Sequence, residues 1–155
     1  MCPELERVKR VNESDVHKLE VPHPQATGDK TQAQLMVKKF QRSSADHELQ
    51  VPELIRTPQT LLHCIEYIEQ NIMTKDLEEA DPRFDEPVPT IVVYLFVWDR
   101  FRMIAKDFTL QISGAQQRTS TWVECHERMA RWFVLMDHRM KVSQLSLELD
   151  FFPTN

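Results

Sequence analysis

Two pairs of neighbouring cysteine and histidine residues are the first groups in this sequence that could do chemistry. They are His63–Cys64 and Cys125–His126. A thiol nucleophile needs a base within hydrogen-bonding reach and a third group that orients that base. Adjacent residues on a helix point about 100° apart, so neither pair is expected to form a dyad. A cysteine–histidine hydrolase is therefore the weakest functional hypothesis, and the sequence predicts that the protein is not an enzyme.

The spacing of these residue types also predicts no metal site. Zinc sites combine short paired spacings such as CxxC or HxxxH, and the chain has neither, nor a glycine-rich phosphate loop or an HExxH motif. Its 3 cysteines are scattered, which is typical of reduced thiols in a cytosolic or nuclear protein. No apolar run approaches the ~18 residues of a membrane span. We predict no cofactor, no small-molecule substrate and no membrane association.

A third candidate site is the stretch VWDRFRMIAKDFTLQ at 97–111, where cations alternate with large apolar residues. At about 100° per residue, four apolar residues define a packing face: Val97, Phe101, Ile104 and Phe108. Arg102 and Lys106 share the opposite face and are the candidates for contact with nucleic acid or a partner protein. Arg100 and Asp107 lie within about 20° of each other on the flank of the apolar face, so a structural ion pair between them is predicted.

The charge balance bears on whether Arg102 and Lys106 bind RNA. Phosphate binding draws on several cations on one surface, and the chain has a formal net charge of −5. We therefore interpret Arg102 and Lys106 first as part of a solvent-exposed helix face without a binding role. Direct RNA binding through this weak basic strip is the alternative hypothesis.

The elements that must position these residues are predicted to be helices. There are only 2 glycines, which disfavours the many tight turns of an all-β fold. Thr57 and Pro58 form a helix start, and Leu61, Ile65, Ile68 and Ile72 follow at amphipathic spacing. A further helix is predicted from 88–92 to about Ile112. Another begins at Thr121, which forms a capping-box pattern with Glu124.

These segments predict an all-α fold, either an irregular helical bundle or an α-solenoid. We expect an N-terminal helix within 1–17, a flexible loop at 18–34, a helical domain over 35–140 and a divergent tail at 141–155. The loop expectation rests on Pro22, Pro24 and Gly28, which interrupt any periodicity.

Five stretches in order resemble the Sac-three/GANP family of nuclear messenger-RNA-export scaffolds. They are MCPELERVKR at 1–10, MVKKFQRSSA at 36–45, RTPQTLLHCIEYI at 56–68, FVWDRFRMIAKDFTLQ at 96–111 and WVECHERMARWFVL at 122–135. MCPE followed by ER in the first stretch, together with DR, R and KDFT in the fourth stretch, is a specific combination, although each piece alone is short. The stretch LSLELDFFPTN at 145–155 differs from the family's continuation.

The resemblance implies the first, helical part of a PCI-type domain, and we expect the winged-helix half to be absent from these 155 residues. It implies a non-enzymatic scaffold of the TREX-two complex, which couples transcription to nuclear export of messenger RNA. The implied partners are a second PCI-domain subunit and a small acidic subunit, with RNA bound by the assembled complex. The implied location is the nucleus, at the nuclear envelope or pore.

Overall fold

The computed structural model describes residues 1–20, 35–41, 54–76, 84, 86–112 and 119–151, and for 112 and 143–151 it describes the backbone alone. Within these ranges the chain forms four α-helices and one short 3₁₀ turn, without a strand. They are α1 (Glu4–Asn12), the 3₁₀ turn (Lys18–Glu20), α2 (Pro58–Asn71), α3 (Thr90–Ile112) and α4 (Ser120–Phe151). The predicted all-α fold is confirmed.

The start of α2 follows the sequence prediction. The Thr57 side chain accepts a hydrogen bond from the backbone N–H of Thr60, and Pro58 is the first helical residue. The start of α4 differs, because the cap is Thr119, whose Oγ1 accepts from the N–H of Trp122 at 3.2 Å. The predicted capping box at Thr121 and Glu124 is therefore wrong by two residues.

The three long helices pack pairwise against one another and bury one apolar core. Phe101 of α3 lies near its centre and makes edge-to-face contacts with Trp132, at 5.4 Å between centroids, and with Phe133, at 6.0 Å. This burial explains why the β-branched and aromatic start of α3 is helical, since tertiary packing overrides local strand propensity. Two ion pairs fasten α4 to α2 and the turn that follows it: Arg128–Glu69 and Arg139–Asp76.

Two of the predicted segment boundaries are not supported by the backbone. The loop expected from residue 18 begins later, because Lys18–Glu20 is a 3₁₀ turn whose Leu19 and Glu20 side chains are buried. The remainder of that loop, 21–34, lies outside the described residues. At the other end, α4 continues without a break through the expected boundary at 140 and ends at Phe151.

Helix α1 is attached by its polar side rather than by its thin apolar stripe. Leu5, Val8 and Val11 are all exposed, whereas Arg10 is buried. The helix ends in a Schellman motif, in which the N–H of Asp15 donates to the Arg10 carbonyl and the N–H of Ser14 donates to the Val11 carbonyl. Ser14 has a φ of 56°, in the left-handed region that glycine normally occupies.

Candidate interaction surface and the charge network behind it

The buried side of α3 is centred on charged residues. Arg100 and Asp107 are 3% and 0% exposed, and on a wheel of about 100° per residue they lie in the middle of the buried arc rather than on its flank. The apolar members of this arc are Val93, Phe96, Val97, Phe101, Met103, Ile104 and Phe108. Two charges in the middle of a packing face require partners from other segments, because an unpaired buried charge is strongly destabilising.

The predicted ion pair between Arg100 and Asp107 is wrong in its partners. Seven residues on a helix are separated by about 10 Å along the axis, and each side chain finds a nearer counterion. Arg100 donates to Glu20 Oε1 at 3.2 Å and also to Asp99. Asp107 accepts from Arg56 Nε at 2.6 Å and from Lys38 Nζ at 3.3 Å. The network thus has two centres, Glu20 and Asp107, each a carboxylate between two cations.

The Glu20 carboxylate is fully buried and joins three separate segments. It accepts from Arg10 of α1, from Arg100 of α3, and from the backbone N–H of Val37 at 3.0 Å. Burial alone would lower the pKa of Arg10, but Glu20, with Cys2 and Glu6 contributing, outweighs burial, and the pKa is raised above its usual value. The guanidinium therefore remains charged within the fold.

The Asp107 carboxylate plays the corresponding part between α3 and the start of α2. Lys38 Nζ reaches it and also donates to the carbonyl of Leu54 at 2.7 Å. Burial lowers the pKa of Lys38, with Asp107 opposing this effect and Arg56 adding to it. Asp107 is thus the countercharge that lets a lysine and an arginine be buried together.

Residues 35–41, which we call the strap, are held across α3 by hydrogen bonds that involve side chains, together with the backbone bond from the Cys2 N–H to the Met36 carbonyl. The Val37 carbonyl accepts from Arg10, and the Lys39 N–H donates to Glu6 Oε1 at 2.9 Å. The Phe40 N–H donates to Asp99 Oδ2 at 3.1 Å. These bonds fix the Phe40 ring against the outward side of α3.

Arg102 and Lys106, the predicted contact residues, lie next to the Phe40 ring. The Arg102 guanidinium carbon is 3.8 Å from the centroid of the Phe40 ring and 4.4 Å from that of Trp98. Lys106 Nζ is 5.5 Å from the Phe40 centroid and donates to the Gln41 carbonyl at 3.0 Å. The structure thus brings the two cations together with two aromatic rings. The contact with Phe40 could not be predicted from the sequence, because Phe40 lies more than fifty residues away from Arg102 and Lys106 in the chain.

The cysteine–histidine neighbours do not form dyads. His63 is largely exposed and 4.0 Å from Glu66, while Cys64 is buried. His126 bonds the Trp122 carbonyl through Nδ1 and stacks on the Trp122 ring, whose centroid is 4.0 Å away. Burial, with Glu124 contributing, raises the pKa of the Cys125 thiol to about 11. A thiol with that pKa is a poor nucleophile at neutral pH.

Metal-binding clusters and membrane-spanning helices are absent from the described part of the chain. No group of three or more histidine, cysteine or acidic side chains there is arranged to hold a metal ion. None of the helices formed by those residues is long and apolar enough to cross a bilayer.

The fold and the network define an all-helical domain in which buried charges join distant segments and one helix presents a cation–aromatic surface. Comparison with protein families gives the class: the model of the SAC3/GANP family matches residues 1–152. The chain belongs to the SAC3/GANP family. The match extends to residue 152 and so includes most of 141–155, the segment expected to diverge from the family.

Two curated relatives are similar over most of the chain. It is 33% identical over 140 residues to SAC3 family protein 1 of Schizosaccharomyces pombe, covering 90% of this chain and 12% of that protein. It is 35% identical over 112 residues to Protein xmas of Drosophila melanogaster, covering 72% of this chain and 5% of that protein. The chain thus spans a small part of these relatives. No solved structure matches it.

Proposed function

We propose that this chain is a non-enzymatic scaffold module that acts in nuclear export of messenger RNA. The observation that carries the proposal is the continuous match to the SAC3/GANP family over 1–152. That range includes all four helices and every member of the buried charge network. The proposal is made for this module, since the curated relatives are much longer proteins.

The geometry supports a scaffold because a fixed core carries exposed apolar side chains. The charge network fastens α1, the 3₁₀ turn and the strap to α3. On α4, apolar residues face solvent at Val123, Val134, Leu135 and Val142. Exposed apolar stripes on packed helices are typical of helical-repeat proteins, where each element buries its face against the next.

The partners we propose are a second PCI-domain subunit and a small acidic subunit, as in the TREX-two complex. Together they would link transcription to export at the nuclear pore. The chain would accordingly localise to the nucleus, with enrichment at the nuclear envelope. A fluorescently tagged chain spread evenly through the cytosol would contradict this location.

Co-expression tests the assembly. The tagged chain is produced with both subunits from the same organism and analysed by affinity capture and size-exclusion chromatography. We expect the three proteins to co-elute, and the double variant Val134→Ser, Leu135→Ser to weaken co-elution, because it makes an exposed apolar patch of α4 polar. Glu4→Ser on α1, also exposed, is the matched control. Retention of neither subunit by the wild-type chain would contradict the proposal.

Direct RNA binding is the second candidate, and the contact of Arg102 with Phe40 and Trp98 is the observation that favours it. Stacked aromatic and guanidinium groups bind single-stranded nucleic acid in many proteins. Among the described residues, Arg102 and Lys106 are the two cations that lie next to the Phe40 ring, and two cations are few for phosphate binding, so we rank RNA binding second. Fluorescence anisotropy with a 20-nucleotide RNA tests it. Binding that falls with salt and with Arg102→Ala plus Lys106→Ala would support it, and no binding at low salt would end it.

A further inference from the structure

The outward side of α3 carries a continuous row of exposed side chains. Ile91, Leu95 and Trp98 are 43%, 53% and 37% exposed, and Arg102 is exposed next to them. Their spacing is i, i+4, i+7 and i+11, which keeps them on one side of a helix over about 16 Å. We call these four residues the outer row. It is apolar along its first two turns and ends in a cation.

Arg102 differs from the other arginines in its partners. In the described ranges, seven arginines lie within ion-pair distance of a carboxylate: Arg7, Arg10, Arg56, Arg100, Arg128, Arg131 and Arg139. Arg102 contacts rings only, at 3.8 Å from Phe40 and 4.4 Å from Trp98. No hydrogen bond or ion pair to its guanidinium is found within those same ranges. Its planar surface is thus held in place while its N–H donors remain unused.

An arginine held in this way is preorganised to bind a carboxylate. Guanidinium N–H groups match the two oxygens of a carboxylate in a bidentate geometry. Ordering a flexible side chain on binding costs conformational entropy, and stacking on two rings has already restricted Arg102. The hydrogen bond from the Phe40 N–H to Asp99 restricts Phe40 in turn.

We propose that the outer row is the docking site for an amphipathic helix of a partner protein. That helix would pack apolar side chains, spaced to match, on Ile91, Leu95 and Trp98. An aspartate or glutamate further along the same helix would form a bidentate ion pair with Arg102. This inference rests on the proposed scaffold function and names the chemistry of one partner segment. Helices that bind in this manner contact their partner through side chains at i, i+3, i+4 and i+7.

The same row fits RNA less well. Its apolar half has no cationic side chain that could bind phosphate, and the chain's net charge of −5 repels a polyanion. The rings of Phe40 and Trp98 each have the Arg102 guanidinium against them, which leaves less ring surface for a base. A carboxylate beside apolar side chains matches both halves of the row.

The test is selection of peptides on the full chain. A phage library of random 16-residue peptides is selected on the wild type and counter-selected on the double variant Leu95→Ser, Arg102→Glu. We expect the recovered peptides to carry apolar residues at helical spacing with an acidic residue further along. We expect Leu95→Ser and Arg102→Glu each to weaken binding at least tenfold. Leu5→Ser on α1 and Arg131→Glu on α4, both at exposed positions, are the matched controls and should leave binding unchanged.

Charge exchange separates a contact from a structural effect. If the acidic residue of a selected peptide is changed to arginine, binding to Arg102→Glu should recover while binding to the wild type is lost. Arg102→Lys should also weaken binding, because lysine keeps the charge but not the bidentate geometry. The proposal is overturned if no peptide separates wild type from the double variant, if the recovered peptides are basic, or if only RNA binds in an Arg102-dependent manner. Co-elution with the PCI-domain and acidic subunits, measured in parallel, reports separately on the scaffold function.

Discussion

Replacing Glu20 with glutamine is the most direct test of the charge network. The substitution keeps the shape of the side chain but removes a fully buried negative charge that lies between the guanidinium groups of Arg10 and Arg100. Removing one partner of a buried ion pair costs about 3–5 kcal/mol. Here Arg10 retains the carbonyls of Asp15 and Val37, and Arg100 retains Asp99. We therefore expect the lower end, about 3 kcal/mol.

That loss is large for a domain of this size. Stabilities of about 5–15 kcal/mol are typical of folded domains. For a chain of this length the melting temperature shifts by about 2–4 °C for each kcal/mol lost from the free energy of unfolding. The variant should therefore melt about 6–12 °C below the wild type. Urea unfolding followed by circular dichroism gives the free energy of unfolding, and a thermal scan gives the midpoint.

The control is Glu127→Gln, which removes a charge of the same kind from the surface. Glu127 pairs with Arg131 at 2.9 Å within α4, and both side chains are exposed. Exposed pairs of this type contribute about 0.3–0.5 kcal/mol. If Glu20→Gln lowered the free energy of unfolding no more than the control does, the view that Glu20 joins three segments of the fold would be refuted.

Three further predictions concern other positions. Burial, with Arg100 contributing, lowers the pKa of His17, and the N–H of Leu19 donates to its Nδ1 at 3.2 Å. Because the unfolded chain takes up the proton first, the free energy of unfolding should fall as the pH drops from about 6.5 through the lowered pKa; His17→Gln should flatten this slope between pH 7.5 and 5. Ser14→Gly should raise the free energy of unfolding by about 0.5–1 kcal/mol in urea titrations, since glycine has no steric penalty at positive φ, whereas Ser14→Ala should not. With a pKa of about 11, Cys125 should react with iodoacetamide at pH 7.5 far more slowly in the native chain than after unfolding, and equal rates would contradict its burial.

Periodicity and capping chemistry were sufficient to predict most of the helices. Thr57 and Pro58 give the start of α2 because a cap and a first-turn proline act within a few residues. The apolar spacing from Leu61 to Ile72 gives the buried side of α2 for the same local reason. The start of α4 was misplaced, since Thr119 and Thr121 are equally able to cap and only the backbone path selects between them.

The candidate site was predicted in part. The sequence placed Arg102 and Lys106 on one side of α3, which follows from helical geometry alone. It gave no indication that Phe40 would stack on Arg102, because the strap reaches α3 from a distant part of the chain. Whether these residues bind a partner stays a prediction.

The sequence by itself determined where most of the helices lie, and its ordered stretches indicated the family. The tertiary structure alone decided what the charges of α3 do. On the helical wheel the packing face was defined from apolar residues alone, so Arg100 and Asp107 were assigned to its flank, as a pair. In the fold they lie in the middle of the buried side, because Glu20, Lys38 and Arg56 supply counterions from three other segments. Burial of a charge depends on a partner distant in sequence, and no local pattern encodes that partner.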